Sequence, residues 1–283
     1  MQEPTFVLVH GAFASSFSFA PLQAELGLLG HRSVAVDLPG HGFAATFPRA
    51  YQAPQDLAAL AAEPGAVKGV TLADNAAHLI GILERAKRNG PVVLVSHSRG
   101  GMTATVAANQ RPDLIDRLVY VSAWCPVDLP VGAYYAEPEM ATVDNAGLAS
   151  AMAGNPAELG LLRCNFRTGD PGVLAAFKAA FLADGTDEEF LVLLNTFQPD
   201  ENLDVGTPDD RARAGSWGRI PRTYVRLAGD TSVPPAMQDR MIREGDALTP
   251  QNPYDVRTLP GSHLKWLVDP APAARLLAEV AAM

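Results

Sequence analysis

Cysteine is scarce in this chain of 283 residues: only Cys125 and Cys164 occur. A secreted domain held together by disulfides carries more. There is no Cys-x-x-Cys pair and no set of Cys and His at zinc-ligand spacing, so no structural metal is expected. The two cysteines read as small buried apolar residues. No run of eighteen apolar residues occurs, which argues against a membrane span. Basic residues are outnumbered, Lys+Arg 22 against Asp+Glu 31, for a net charge of −9. A surface of that sign repels phosphate backbones, so nucleic acid is not an expected partner. The N-terminus has no basic stretch leading into an apolar run and a cleavage site. A strand-like segment begins at Thr5 instead. No signal peptide is expected, and the cytoplasm is the expected compartment.

What is present is a globular composition, 48% hydrophobic and 19% charged. Short apolar runs recur at Phe6–Val9, Ser33–Asp37, Val92–Val95, Leu118–Val121, Thr223–Leu227 and Asp255–Leu259. The first four are almost continuously apolar, as strands buried on both faces of a parallel sheet should be. Helical patterns lie between them. Leu72, Ala76, Leu79, Ile80 and Leu83 share one face, and Gly90-Pro91 stops that helix. Residues 102–110 form a second helix, and Ala273, Leu276, Leu277 and Val280 mark a final one. This alternation predicts an α/β fold, with a mostly parallel sheet flanked by helices. It breaks between 127 and 215, where no convincing strand appears. That stretch reads as a helical cap inserted into a core of residues 1–126 and 216–283. Most of its aromatic and methionine residues are expected in its core, and a few are expected to line a pocket beneath it.

The strongest local signal is Val92-Val93-Leu94-Val95-Ser96-His97-Ser98-Arg99-Gly100-Gly101. A buried strand ends, Ser98 follows, small residues flank it at −2 and +2, and a helix begins. A strained strand-to-helix turn that exposes a nucleophile needs that pattern, although the usual residue at −2 is glycine and here it is Ser96. Serine needs a base, and the base needs an orienting acid. Of six histidines, His263 lies just past the last strand, at the sheet edge where sites form. His97 is expected to point away from the Ser98 hydroxyl. His78 reads as a surface residue, and His31 and His41 as loop and turn residues. Asp230 follows the penultimate strand at the same edge and is the favoured acid, with Asp128 as its rival. An oxyanion hole needs two backbone N–H groups. One is expected from Arg99, and the other from Ala12, where Gly11 lets the loop after the first strand approach closely. The Arg99 side chain reads as exposed.

His10-Gly11, Asp37-Leu38-Pro39-Gly40-His41-Gly42, Ser98 in its turn, Gly229-Asp230 and Gly261-Ser262-His263 together resemble the α/β-hydrolase superfamily. The order Ser98, Asp230, His263 is that of its catalytic triad. The start of the chain, and Pro235-Ala236-Met237-Gln238 leading to Ile242, are similar to the branch of plant methylesterases and hydroxynitrile lyases. The lyases of that branch carry a threonine in the oxyanion loop, a glutamate before the nucleophile and a lysine directly after the histidine. Here those positions hold Gly11-Ala12, His97 and Leu264, and Lys265 comes one place too late. The resemblance therefore implies a serine hydrolase acting on an ester of a small, largely apolar molecule through an acyl-enzyme. No metal or organic cofactor is implied, and the expected partner is a small-molecule ester, neither nucleic acid nor membrane. The rivals are a lyase, decarboxylase or cofactor-free oxygenase using the His-Asp pair, a ligand receptor on the same fold, and a peptidase or thioesterase.

Overall fold

A computed structural model describes residues 3–283. Among the described residues eight strands occur: β1 (Thr5–Val9), β2 (Arg32–Val36), β3 (Val92–His97), β4 (Arg117–Val121), β5 (Leu162–Arg163), β6 (Asp200–Glu201), β7 (Arg222–Leu227) and β8 (Asp255–Leu259). Six form one sheet in the order β2-β1-β3-β4-β7-β8, with every neighbouring pair parallel.

Successive side chains of a strand point to opposite faces. Val7, Leu94, Leu118 and Tyr224 accordingly enter one apolar cluster, and Leu8, Val95, Val119 and Val225 enter another. Helices Leu72–Lys87, Gly100–Gln110 and Pro235–Leu248 cover the first face. Helices Ala20–Leu28 and Ala271–Ala281 cover the second. Burial on both faces is why β1, β3 and β4 are continuous apolar runs. The edge strands β2 and β8 alternate in exposure instead.

Local chemistry fixes the helix ends. Thr71 accepts from the Asp74 N–H at 3.1 Å while the Asp74 carboxylate accepts from the Thr71 N–H at 2.9 Å, a reciprocal cap on Leu72–Lys87. The helix after Ser98 begins at Gly100, two residues earlier than its apolar pattern predicts. No helix among the described residues is long and apolar enough to cross a membrane. Cys125 and Cys164 are buried free thiols.

The stretch 127–215 lies between β4 and β7. It carries helices including Pro171–Phe181 and Asp187–Leu194, but it is not free of strands. β5 and β6 pair antiparallel, Leu162 with Glu201 and Arg163 with Asp200. Two-residue strands are too short to show a period of two, which is why the sequence pattern misses them. What secures them is a fully buried Arg163 that meets Asp200 through two hydrogen bonds, at 2.6 and 2.7 Å. Its Nη1 group bonds the Leu60 and Glu63 carbonyls, so the buried charge is paired and four of its five N–H groups are bonded.

Candidate active site

The sheet order reverses between β1 and β3, because β2 extends one way from β1 and the rest of the sheet extends the other. In open α/β sheets ligands bind at the carboxyl ends of strands beside such a switch. The His10–Phe13 loop leaves β1 there, and Ser98 leaves β3. The two strands are in register, Val9 opposite Ser96, so the loops start side by side.

Ser98 has φ 51, in the left-handed region that few non-glycine residues occupy. The turn closes because its neighbours are small. A Cβ on Gly100 would stand 2.4 Å from the His10 carbonyl oxygen, which excludes any side chain there. At −2, Ser96 is tolerated because its hydroxyl is absorbed into the sheet, donating to the Val119 carbonyl at 3.3 Å. Gly11 packs directly on the Ser98 side chain, since a Cβ on Gly11 would lie 2.9 Å from the Ser98 Cβ.

Asp230 and His263 follow β7 and β8. Asp230 Oδ2 lies 2.6 Å from His263 Nδ1 and accepts from the Ser122 hydroxyl at 2.6 Å. Asp230 Oδ1 accepts from the Ser232 and Val233 N–H groups at 2.7 and 2.9 Å. The buried carboxylate therefore has four partners, as a charge out of water requires. Ser122 went unnoticed in the sequence. It comes directly after β4 with φ 40, and nothing local marks it. The rival acid Asp128 is exposed, and the structure pairs Asp230, not Asp128, with His263. Ser98 and His263 line one cavity. Among the described residues the Ser98 hydroxyl has no hydrogen bond of its own. Serine–histidine contacts are often loose without substrate and tighten when it binds.

His97 turns toward the His263 segment. Its Nε2 lies 3.2 Å from the His263 carbonyl oxygen, and the rings are 4.5 Å apart. Burial and the neighbouring imidazole hold His97 well below the ordinary histidine range, so it stays neutral and braces the backbone of His263. His78 is exposed, and His31 pairs with Glu3 at 3.5 Å.

The Ala12 and Arg99 N–H groups, one on each side of Ser98, have no acceptor among the described residues. Behind them lies a buried polar cluster that the sequence pattern did not reveal. Glu201 is 3% exposed. Its Oε2 is 3.4 Å from His41 Nε2, and its Oε1 is 3.7 Å from Arg99 Nε. Burial alone would raise its pKa, but the two cations hold it at about 2. Burial opposes protonation of His41, yet Glu201 raises its pKa. Burial, reinforced by His41 4.8 Å away, lowers His10 to about 4. The Arg99 side chain is not exposed as expected. It is folded against the Asn202 side chain and carbonyl and the Asp204 carbonyl, away from the cavity. The apolar pattern of the chain carries no trace of contacts between residues about a hundred positions apart.

The cavity has a volume of about 230 Å³. Phe13, Trp124, Phe166, Phe181, Phe197 and Leu264 supply much of its wall, and no Asp, Glu, Lys or Arg side chain lines it. Of the aromatic and methionine residues in 127–215, Tyr135, Met140, Phe166, Phe181 and Phe197 reach it. Phe177 and Phe190 are buried in the apolar cluster instead. Among the described residues no group of three or more His, Cys, Asp or Glu side chains is placed to hold a metal ion.

A carboxylate-backed histidine, a serine in a strained turn and two free N–H groups thus stand together at one sheet edge. The chain belongs to the alpha/beta hydrolase family, whose model matches residues 6–279. Methylesterase 4 of Arabidopsis thaliana is 24% identical over 98% of this chain and 95% of its own. A shorter stretch of 134 residues is 35% identical to sn-1-specific diacylglycerol lipase ABHD11 of Mus musculus, covering 46% of this chain and 36% of that one. In three dimensions the crystal structure of polyneuridine aldehyde esterase matches with a TM-score of 0.72 at 20% identity, covering 99% of both chains, a likeness of fold.

Proposed function

We propose that the protein is a serine hydrolase that cleaves carboxylic esters of small, largely apolar molecules through an acyl-enzyme. The observation that carries this reading is the 2.6 Å contact between Asp230 and His263 beside Ser98, which sits in a turn that forces its side chain toward Gly11. His263 takes the Ser98 proton as the oxygen attacks the ester carbonyl. Asp230 holds Nδ1, fixes the ring and offsets the charge it acquires. The carbonyl electrons become an oxyanion, received by the Ala12 and Arg99 N–H groups. His263 then protonates the leaving alcohol. In the second half it draws a proton from water as the water oxygen bonds to the acyl carbon, and it returns that proton to Ser98 Oγ as the carbon–Oγ bond breaks and the acid leaves.

The names of the relatives, methylesterase and esterase, support ester chemistry. The aromatic wall favours an apolar group on the substrate. Cyanohydrin cleavage is disfavoured, because His97 and Leu264 stand where the lyases carry glutamate and lysine.

A serine-reactive phosphonate should add one label, at Ser98, and abolish turnover. A panel of aryl esters, methyl esters and lactones, run on wild type and Ser98→Ala, identifies the substrate class. Activity surviving in Ser98→Ala would end the acyl-enzyme reading and favour proton abstraction by His263.

A further inference from the structure

Phe13 follows the expected oxyanion donor Ala12 and has φ 56, a costly conformation for an aromatic residue. Such a backbone persists only where its surroundings over-determine it. Both ends of the Phe13 residue are held by the segment that closes the 127–215 stretch. The Phe13 N–H donates to Glu201 Oε2 at 3.0 Å, and its carbonyl accepts from the Gln198 N–H at 2.8 Å. Glu201 Oε1 accepts from the backbone and side-chain amides of Asn202 at 2.9 and 2.8 Å. Asn202 Oδ1 in turn accepts from Arg99 Nη2 at 2.9 Å. One continuous polar chain thus joins residue 13 to residue 99, the two segments that flank the Ser98 hydroxyl.

We infer that Glu201 is a positioning residue for the oxyanion hole. It touches no reacting atom. Its carboxylate fixes the Phe13 N–H on one side and, through Asn202 and the charge of Arg99, the residue-99 backbone on the other. The two N–H vectors are thereby set at one point. This rests on the ester-hydrolase reading above. It adds that the segment usually regarded as a cover over the pocket completes the machinery beneath it.

The test uses a ligand that needs the hole and one that does not. An aryl trifluoromethyl ketone accepts Ser98 Oγ at its carbonyl carbon. The serine proton passes to His263, and the carbonyl pair becomes an oxyanion in the hole. The corresponding secondary alcohol fills the same cavity with no bond to Ser98. In Glu201→Gln, kcat should fall about 10- to 100-fold, at or below the loss of one donor, with KM within about threefold. Ketone affinity should fall by the same factor and alcohol affinity by less than about twofold. Asn202→Ala removes the side-chain bridge between Glu201 Oε1 and Arg99 Nη2, keeps the backbone bonds of residue 202 to both, leaves no buried charge alone, and should show the same pattern at about 3- to 10-fold. If Glu201→Gln does not fold by circular dichroism, Asn202→Ala decides the matter by the same criteria. Wild-type values of kcat and ketone affinity in a folded variant overturn the role of Glu201, and so does an equal loss for ketone and alcohol. Wild type that forms no ketone adduct overturns the ester-hydrolase reading, and this inference with it.

Discussion

The two halves of the site are held in different ways. Asp230 is secured by its own loop, the N–H groups of Ser232 and Val233, and by Ser122 at the end of the strand beside it. Phe13 is secured by Gln198 and Glu201, the latter 188 positions away. The Asp230 half is therefore a property of the sheet, and the Phe13 half depends on the 127–215 stretch closing over it. Damage to the first should strike turnover directly. Damage to the second should weaken turnover and near-neutral stability together.

The largest expected effect tests the sheet-built half. Asp230→Asn keeps the shape but presents the wrong hydrogen-bonding partner to His263, and kcat should fall about 10⁴-fold. Asp128→Asn, on an exposed carboxylate, should leave kcat within about twofold. Steady-state kinetics on both variants decides which acid serves, and a reversed ranking would move the site away from β7.

A smaller effect tests the insertion-built half. Glu201 is held at about 2, below its ordinary 4.5. A depressed carboxylate stabilises the fold above its unfolded value, and that contribution is lost as pH falls from 4.5 toward 2. Glu201→Gln should therefore be less stable than wild type near pH 6 by about 3 kcal/mol, at 1.36 kcal/mol per pKa unit. The gap should close as pH approaches 2. Urea unfolding at several pH values measures it, and a gap independent of pH would show that the carboxylate is not the stabilising species.

The smallest effect sharpens the comparison. Ser122→Ala removes one of four partners of Asp230, and kcat should drop about tenfold, about 1.4 kcal/mol. The Phe13 side of the site is untouched, so affinity for a trifluoromethyl ketone should fall less than it does in Glu201→Gln. Equal losses in the two variants would mean that the halves are not independent.

The same contrast explains what could be read from the amino acids alone. Strands β1, β3 and β4 are legible because both faces are buried, leaving runs such as Val92-Val93-Leu94-Val95 with nothing polar in them. The convergence of Ser98, Asp230 and His263 on one sheet edge is legible because each comes within a few residues of a strand's end, and parallel strands end on one edge. Ser96 at the position usually held by glycine looked like a weakness until its hydroxyl was seen bonded to β4. Glu201 was not legible. It lies among Gln198, Asp200 and Asn202, polar residues with no apolar pattern, although all four are buried. Their partners, Phe13, Gly42, Arg163 and Arg99, are distant in sequence, and no periodicity records such pairs. The Arg99 side chain was misread for the same reason.

The absence of charged side chains along the cavity bears on how a reaction cycle ends. Ester hydrolysis turns a neutral guest into an anion. Aromatic walls offer a carboxylate no Lys or Arg to pair with, only the imidazole of His263, and a poorly paired carboxylate out of water is disfavoured. Departure of the acid is thus driven by its own need for hydration, and accumulated product should compete poorly with fresh substrate.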